Sequence, residues 1–260
     1  VWRVSDGTRV IQGNYRECWR NAFSADGQRV AVGQKEQVIC FDLATGKELN
    51  RFTVPGRVNA LAFHPDDVQL AVGLARSSAI HIYDSKTGTR RKELYVGMMQ
   101  DQVLAWHPDG VRLAISGMEP RISIWNVASG RKLATMEGHV KIVTTLDFHP
   151  DGNLLVSYSW DGMLRFWEPA TGRPLLQLPV AVRGDPRFSN DGKWVAGAHS
   201  GGRIELLEVT STQEYRTLVV SGSLGKGAYT PADISPDGRV LAIGNAEGGD
   251  PVRLWDLQTG

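Results

Sequence analysis

Apolar and polar residues alternate along this chain in short runs, and no stretch sustains the 3.6-residue period of a helix. RLAISG from Arg112, VLAIG from Val240 and VRLWD from Val252 have strand length and are bounded by turn residues. The pattern predicts an all-β protein of many short strands.

The turns recur at a fixed spacing. FSADG at Phe23–Gly27, FHPDD at Phe63–Asp67, WHPDG at Trp106–Gly110, FHPDG at Phe148–Gly152, FSNDG at Phe188–Gly192 and ISPDG at Ile234–Gly238 begin 40, 43, 42, 40 and 46 residues apart. A second string follows each: FDLATG from Phe41, IYDSKTG from Ile82, IWNVASG from Ile124, FWEPATG from Phe166, LLEVTST from Leu206 and LWDLQTG from Leu254. Pro-Asp-Gly turns because Pro presets φ, Asp accepts local backbone N–H groups and Gly takes a positive φ. Asp67 replaces that Gly, which the left-handed tolerance of Asp allows. One strand ends at this turn, a second follows it, the WD-like string is a third, and a Thr-Gly turn leads to a fourth, as in KELNRF from Lys47. Four antiparallel strands cannot bury both faces alone. Radial stacking of such sheets does so, which makes a β-propeller of four-stranded antiparallel blades the expected fold.

The fourth copy, EGHVKIVTTLDFHPDGNLLVSYSWDGMLRFWE from Glu137 to Glu168, resembles the WD-repeat β-propeller family. The degenerate copies, with their SPDG and WDLATG-like strings, look like the bacterial type. The resemblance implies a structural tetrad, His139, Ser157, Asp161 and Trp167, joined by buried hydrogen bonds. The other copies depart from it: Gly-His occurs once, and GQKEQ at Gly33 and GLARSS at Gly73 replace the turn Asp. Those blades are expected to rely on apolar packing. VWRVSDG at Val1 is a further, partial copy, and the chain stops within LWDLQTG. The expectation is a single propeller over 1–260, a fragment cut within blades at both ends, with five complete blades and two partial ones. The parent ring then has seven blades, or six if TRVIQG at Thr8–Gly13 closes the last blade; a longer array of two propellers is the remaining alternative.

Composition changes little. The chain's 29 basic and 28 acidic side chains leave a net charge of +1, which supplies no general field for nucleic acid or anionic lipid. No apolar run is long enough to span a membrane. Cys18 and Cys40 form no disulfide framework and are expected as reduced, packed thiols of a cytoplasmic protein.

Chemistry is sparse. His64, His107 and His149 occupy one turn position on three blades, too far apart for a metal, and are expected as solvated turn residues. SGSLGKG at Ser221–Gly227 lacks P-loop spacing and a following helix, so no nucleotide or other cofactor is expected. No nucleophile elbow and no paired carboxylates appear, and an enzymatic propeller is disfavoured by inner strands read as mostly Ala, Val, Leu and Phe. The basic clusters Arg90-Arg91-Lys92 and Arg131-Lys132 are expected to guard outer edges.

What remains is surface. Resemblance to WD-repeat proteins implies partner docking on inter-blade loops, where Tyr15, Arg16, Trp19, Arg57, Met98, Met99, Lys141, Trp160, Arg183 and Tyr229 are of the types enriched in interfaces. The expected function is a non-catalytic protein-interaction scaffold. The alternative is a regulatory propeller of a signalling enzyme such as a bacterial serine/threonine kinase, whose catalytic motifs are absent from these residues.

Overall fold

The computed structural model describes residues 9–11, 18–99, 102–180, 185–199, 203–209, 217–220, 232–234, 240–244 and 252–256. They form two compact units, Val1–Val143 and Thr144–Gly260. The first unit holds three sheets. These are β1 (Cys18–Phe23), β2 (Arg29–Gln34), β3 (Gln37–Asp42) and β4 (Glu48–Thr53); then β5 (Val58–Phe63), β6 (Gln69–Leu74), β7 (Ser77–Asp84) and β8 (Arg90–Met99); then β9 (Val103–Trp106), β10 (Arg112–Ser116), β11 (Arg121–Asn126) and β12 (Arg131–Glu137). The second holds β13 (Val143–Phe148), β14 (Leu155–Ser159), β15 (Met163–Glu168) and β16 (Arg173–Pro179); then β17 (Arg187–Phe188), β18 (Trp194–His199), β19 (Arg203–Glu208) and β20 (Thr217–Val220); then β21 (Ala232–Ile234), β22 (Val240–Gly244) and β23 (Val252–Asp256). Each sheet is antiparallel in chain order, so the described residues contain five four-stranded blades and one three-stranded sheet, the repeat that the sequence predicts.

Within each unit, alternate residues of a sheet face opposite neighbours. Val72 and Leu70 of the second sheet join Ala31, Val38 and Cys40 of the first in one buried cluster. Ala71, Ile80 and Ile82 of the same sheet join Leu104, Leu113 and Ile115 of the third in another. In the second unit, Val156 and Phe166 meet Phe188, Val195 and Leu207. Of TRVIQG only residues 9–11 are described, and Ile11 packs on Val30, Ile39 and Phe41 of the first sheet.

The recurring turn is built as its chemistry requires. Asp66, Asp109, Asp151, Asp26 and Asp191 each accept, through Oδ1, the backbone N–H two residues on, at 2.8–3.0 Å. Its first residue, however, is no solvated bystander. His64 lies buried, with Nε2 2.8 Å from the carbonyl of Gly110 in the next sheet's turn and its ring edge-on to Trp106. His149 repeats this with Gly192, at 3.0 Å, and with Phe188. His107 is buried too, with Nε2 2.8 Å from the Arg112 guanidinium. The expectation of solvated histidines is therefore corrected: each imidazole is consumed by neighbouring turn residues, and those of His64 and His149 latch one sheet to the next.

The first sheet has Ser24 in place of the histidine, and there the latch runs backwards. Asp67, at φ 59°, turns its carboxylate onto the backbone N–H groups of Ala25 and Asp26 at 2.6 and 2.9 Å. Its carbonyl accepts from Arg29 and from Ser85, both at 2.8 Å. The departure from Gly at position 67 thus compensates the departure from His at position 24.

Outer strands carry a second recurring device. Opposite Phe41, Tyr83, Trp125 and Trp167 the pairing skips one residue of β4, β8, β12 and β16, leaving Leu49, Arg91, Leu133 and Leu175 as bulges. Bulges twist an edge away from further pairing. The charges nearby are spent locally: Arg90 pairs with Glu93, Arg91 with Asp84, and Lys92 donates to the Ala128 carbonyl. Two loop expectations are corrected here. Met98 and Met99 lie in β8, which continues beyond Gly97 at φ 89° to pair Met99 with Ser77, and Trp19 lies in β1.

Asp67→Gly restores the repeat consensus and relieves a strained φ, yet leaves two N–H groups without their acceptor. It is expected to lower stability by about 1–3 kcal/mol in denaturant melts. Acid acts on the whole set of turns. Burial pushes the Asp109 carboxyl up, but the Val111 N–H and the Arg112 guanidinium outweigh it and hold it at about 2; Asp26, Asp66, Asp151 and Asp191 are also held below the usual range. Carboxyls lowered by folding stabilise the fold above the unfolded value of about 4 and cease to do so as pH falls through the folded values. Thermal melts should therefore hold steady near neutrality and fall progressively from about pH 4 towards pH 2.

Candidate functional site

Each sheet has two ends. One carries the His/Ser-x-Asp turns; the other carries the turn between second and third strands and the connection into the next sheet. The fourth sheet shows how the second end is stiffened. Trp167 is fully buried and donates from Nε1 to Ser157 Oγ at 2.8 Å, across the second and third strands. Asp161 closes the turn above: its Oδ1 accepts from Met163 N–H at 2.9 Å, and its own N–H donates to Ser159 Oγ at 3.1 Å. His139 is buried in the first unit. On this braced turn Trp160 stands 64% exposed.

The first three sheets swap this polar brace for apolar packing, as the sequence predicts, and in the third an unmet donor remains. Trp125 pairs with Leu113 as Trp167 pairs with Leu155, but Ile115 occupies the place of Ser157. The Trp125 Nε1 is buried without an acceptor. In the first two sheets Phe41 and Tyr83 hold the tryptophan position.

Among the predicted surface residues, Arg57 and Lys141 are exposed, Arg57 in the first unit and Trp160 in the second. Tyr15, Arg16, Arg183, Tyr229 and the Ser221–Gly227 loop lie outside the described residues, and of Trp19, Met98 and Met99 only the backbone is described. Sequence reasoning passed over Met118, 50% exposed at the second-to-third-strand turn of the third sheet. It also passed over Lys35 and Arg76, exposed on the corresponding turns of the first two sheets. Their signal was positional, the repeat register that singled out Trp160.

The inner strands are more polar than predicted. Asp147 accepts from Phe188 N–H at 2.7 Å and pairs with Arg187, and Thr145 donates to Asp185 at 2.6 Å. Arg20 Nε donates to the Asn59 carbonyl at 2.7 Å. Among the described residues no group of three His, Cys, Asp or Glu side chains is placed to hold a metal ion. Cys40 is a buried free thiol that burial pushes up to about 11.

The braced unit around Trp167 falls in one of two segments that comparison with known proteins selects. A family model described as WD domain, G-beta repeat matches residues 46–84 and 130–168. These two segments match the WD40 repeat. Human WD repeat-containing protein 19 is 28% identical over 120 residues, which is 45% of this chain and 9% of that protein. The chain therefore spans a small part of the length of this curated relative. Among solved structures, Kuenenia stuttgartiensis hydrazine synthase superposes with a TM-score of 0.72 over 92% of this chain and 76% of that one. At 20% identity this likeness concerns the fold alone. The WD40 repeats and the four-stranded antiparallel blades together make this an all-β propeller-type chain.

The two tryptophans supply a test of the brace. Trp167→Phe removes the bond to Ser157 and should cost about 2 kcal/mol, whereas Trp125→Phe deletes an N–H that has no partner and should cost under about 1 kcal/mol, read from paired denaturant melts.

Proposed function

We propose that this chain is a non-catalytic scaffold that presents the turn ends of its blades to a protein or peptide partner. The observation that carries this reading is Trp160: a large aromatic, 64% exposed, on a turn fixed by Asp161 and Ser159. Leaving such a ring in water is unfavourable, and holding it rigid limits the entropy lost when a partner covers it. Met118 offers the same kind of surface on the third sheet. WD40 repeats generally serve protein interaction, which agrees with this assignment.

A shared bracing role for Ser157, Asp161 and Trp167 belongs to the same proposal, with the Trp167–Ser157 bond as its described link. So does a parent ring of six or seven blades, of which five are four-stranded here. A cytoplasmic setting accords with the free thiol of Cys40. Among the described residues no helix is long and apolar enough to cross a membrane.

Trp160→Ala in the full chain should remove most of the partner recovered in quantitative pull-downs and leave the melting temperature unchanged. Leu175→Ala, an exposed outer-strand control, should change neither. Undiminished recovery with Trp160→Ala, or a fall in stability that accounts for the loss, overturns the assignment.

A further inference from the structure

We propose that the turns of the first two sheets form a docking row for an acidic peptide segment of the partner, with Lys35, Arg57 and Arg76 as its cations. This rests on the scaffold reading and adds the partner's chemistry. The three residues are stitched side by side through the backbone: Val58 N–H donates to the Lys35 carbonyl, and Ala75 N–H to the Arg57 carbonyl, each at 2.8 Å. All three side chains are exposed.

Two observations separate this row from ordinary surface charge. First, several exposed arginines are neutralised within the chain, Arg51 by Glu48, Arg90 by Glu93, Arg121 by Glu119 and Glu137, and Arg173 by Glu168, while exposed cations without a carboxylate partner, such as Lys47, Lys86, Arg131 and Lys132, stand on outer strands or the turns leading into them and not on this end of the sheets. Among the described residues Lys35, Arg57 and Arg76 have no carboxylate partner, and Glu36 beside Lys35 pairs with none of them. Second, Lys35 and Arg76 sit at φ 52° and 59°, where a side chain other than Gly, Asn or Asp is strained. The one other described non-glycine residue at positive φ is Asp67, whose carboxylate is spent on the latch to Ala25 and Asp26. Lys35 and Arg76 carry the same kind of strain while gripping nothing of their own chain.

The floor beneath the row selects a peptide over a simple anion. Both amide atoms of Asn59 and the Oε1 of Gln102 are buried without partners, and both oxygens flank Gly73, at 3.2 and 2.2 Å from where its Cβ would stand. Gln102 donates to the carbonyl of Ser77, next to Arg76. Gln102 is wholly enclosed; Asn59 is half-buried as a residue but its amide is out of solvent, so it meets a ligand only by turning its side chain outward. It lacks a donor as well as an acceptor. A peptide main chain brings both; free phosphate at neutral pH brings mainly acceptors.

The test is fluorescence anisotropy of fluorescein-labelled hexaglutamate with the full chain. Saturable binding that weakens with sodium chloride is expected. Lys35→Gly with Arg76→Gly should weaken it about tenfold while leaving the melting temperature unchanged or higher, because the strain is relieved with the charge. Arg131→Gln with Lys132→Gln removes the same charge from an outer strand and should alter affinity by less than about twofold. No binding of hexaglutamate, equal weakening in the control, or displacement by inorganic phosphate beyond sodium chloride of equal ionic strength each overturns the row. Such a failure, with Trp160-dependent recovery of a partner intact, removes the acidic-peptide assignment alone; loss of both removes the scaffold reading too.

Discussion

A four-stranded sheet with two apolar faces is stable only when each face meets another, and every feature of this chain answers that demand. In the second sheet, Leu70 and Val72 bury towards the first while Ala71, Ile80 and Ile82 bury towards the third. Strand alternation alone achieves this division, because neighbouring residues point to opposite faces. Face packing is non-directional, so relative height and angle need polar fixing. The His64, His149 and Asp67 latches supply it at the turn end, where a short directional bond has most leverage.

The repeat and its turn chemistry were legible because each depends on residues close in sequence: the Asp Oδ1 bond reaches only two positions ahead. The latches were not, since His64 and Gly110 are separated by a whole repeat. For the same reason Asp67 reads locally as a tolerated oddity, and only the folded chain shows that it answers Ser24. Met98 and Met99 were misplaced because a glycine and two extra residues look like a loop in sequence, whereas β8 absorbs them as an irregularity opposite Ser77–Ala79. The polar inner strands were underestimated because the partners of Asp147, Thr145 and Arg20 lie about a whole repeat away in sequence, at Phe188, Asp185 and Asn59.

Polar bracing is distributed unevenly among the blades. The fourth sheet holds its buried tryptophan by a serine, and the third half-buries the corresponding ring with its N–H unmet. Apolar packing suffices for cohesion at both places. A directional bond adds definition to the strand ends, and the turn built above the bonded tryptophan is the one that displays Trp160. The strained, uncompensated cations of the first two sheets follow a different logic, in which local conformational energy is retained where an outward-facing group is needed.

The reversed latch has a consequence for how such an array evolves. Ser24 heads a turn that is held by Asp67 at the tail of the next repeat. Ser189 heads a turn as well, but its hydroxyl bonds within that turn to Asp191 and the next repeat ends in Gly238, so a serine head does not by itself require an aspartate tail. Exchange of the first repeat alone, by a cut between residues 27 and 63, would nonetheless forfeit the two N–H bonds that Asp67 supplies across that junction.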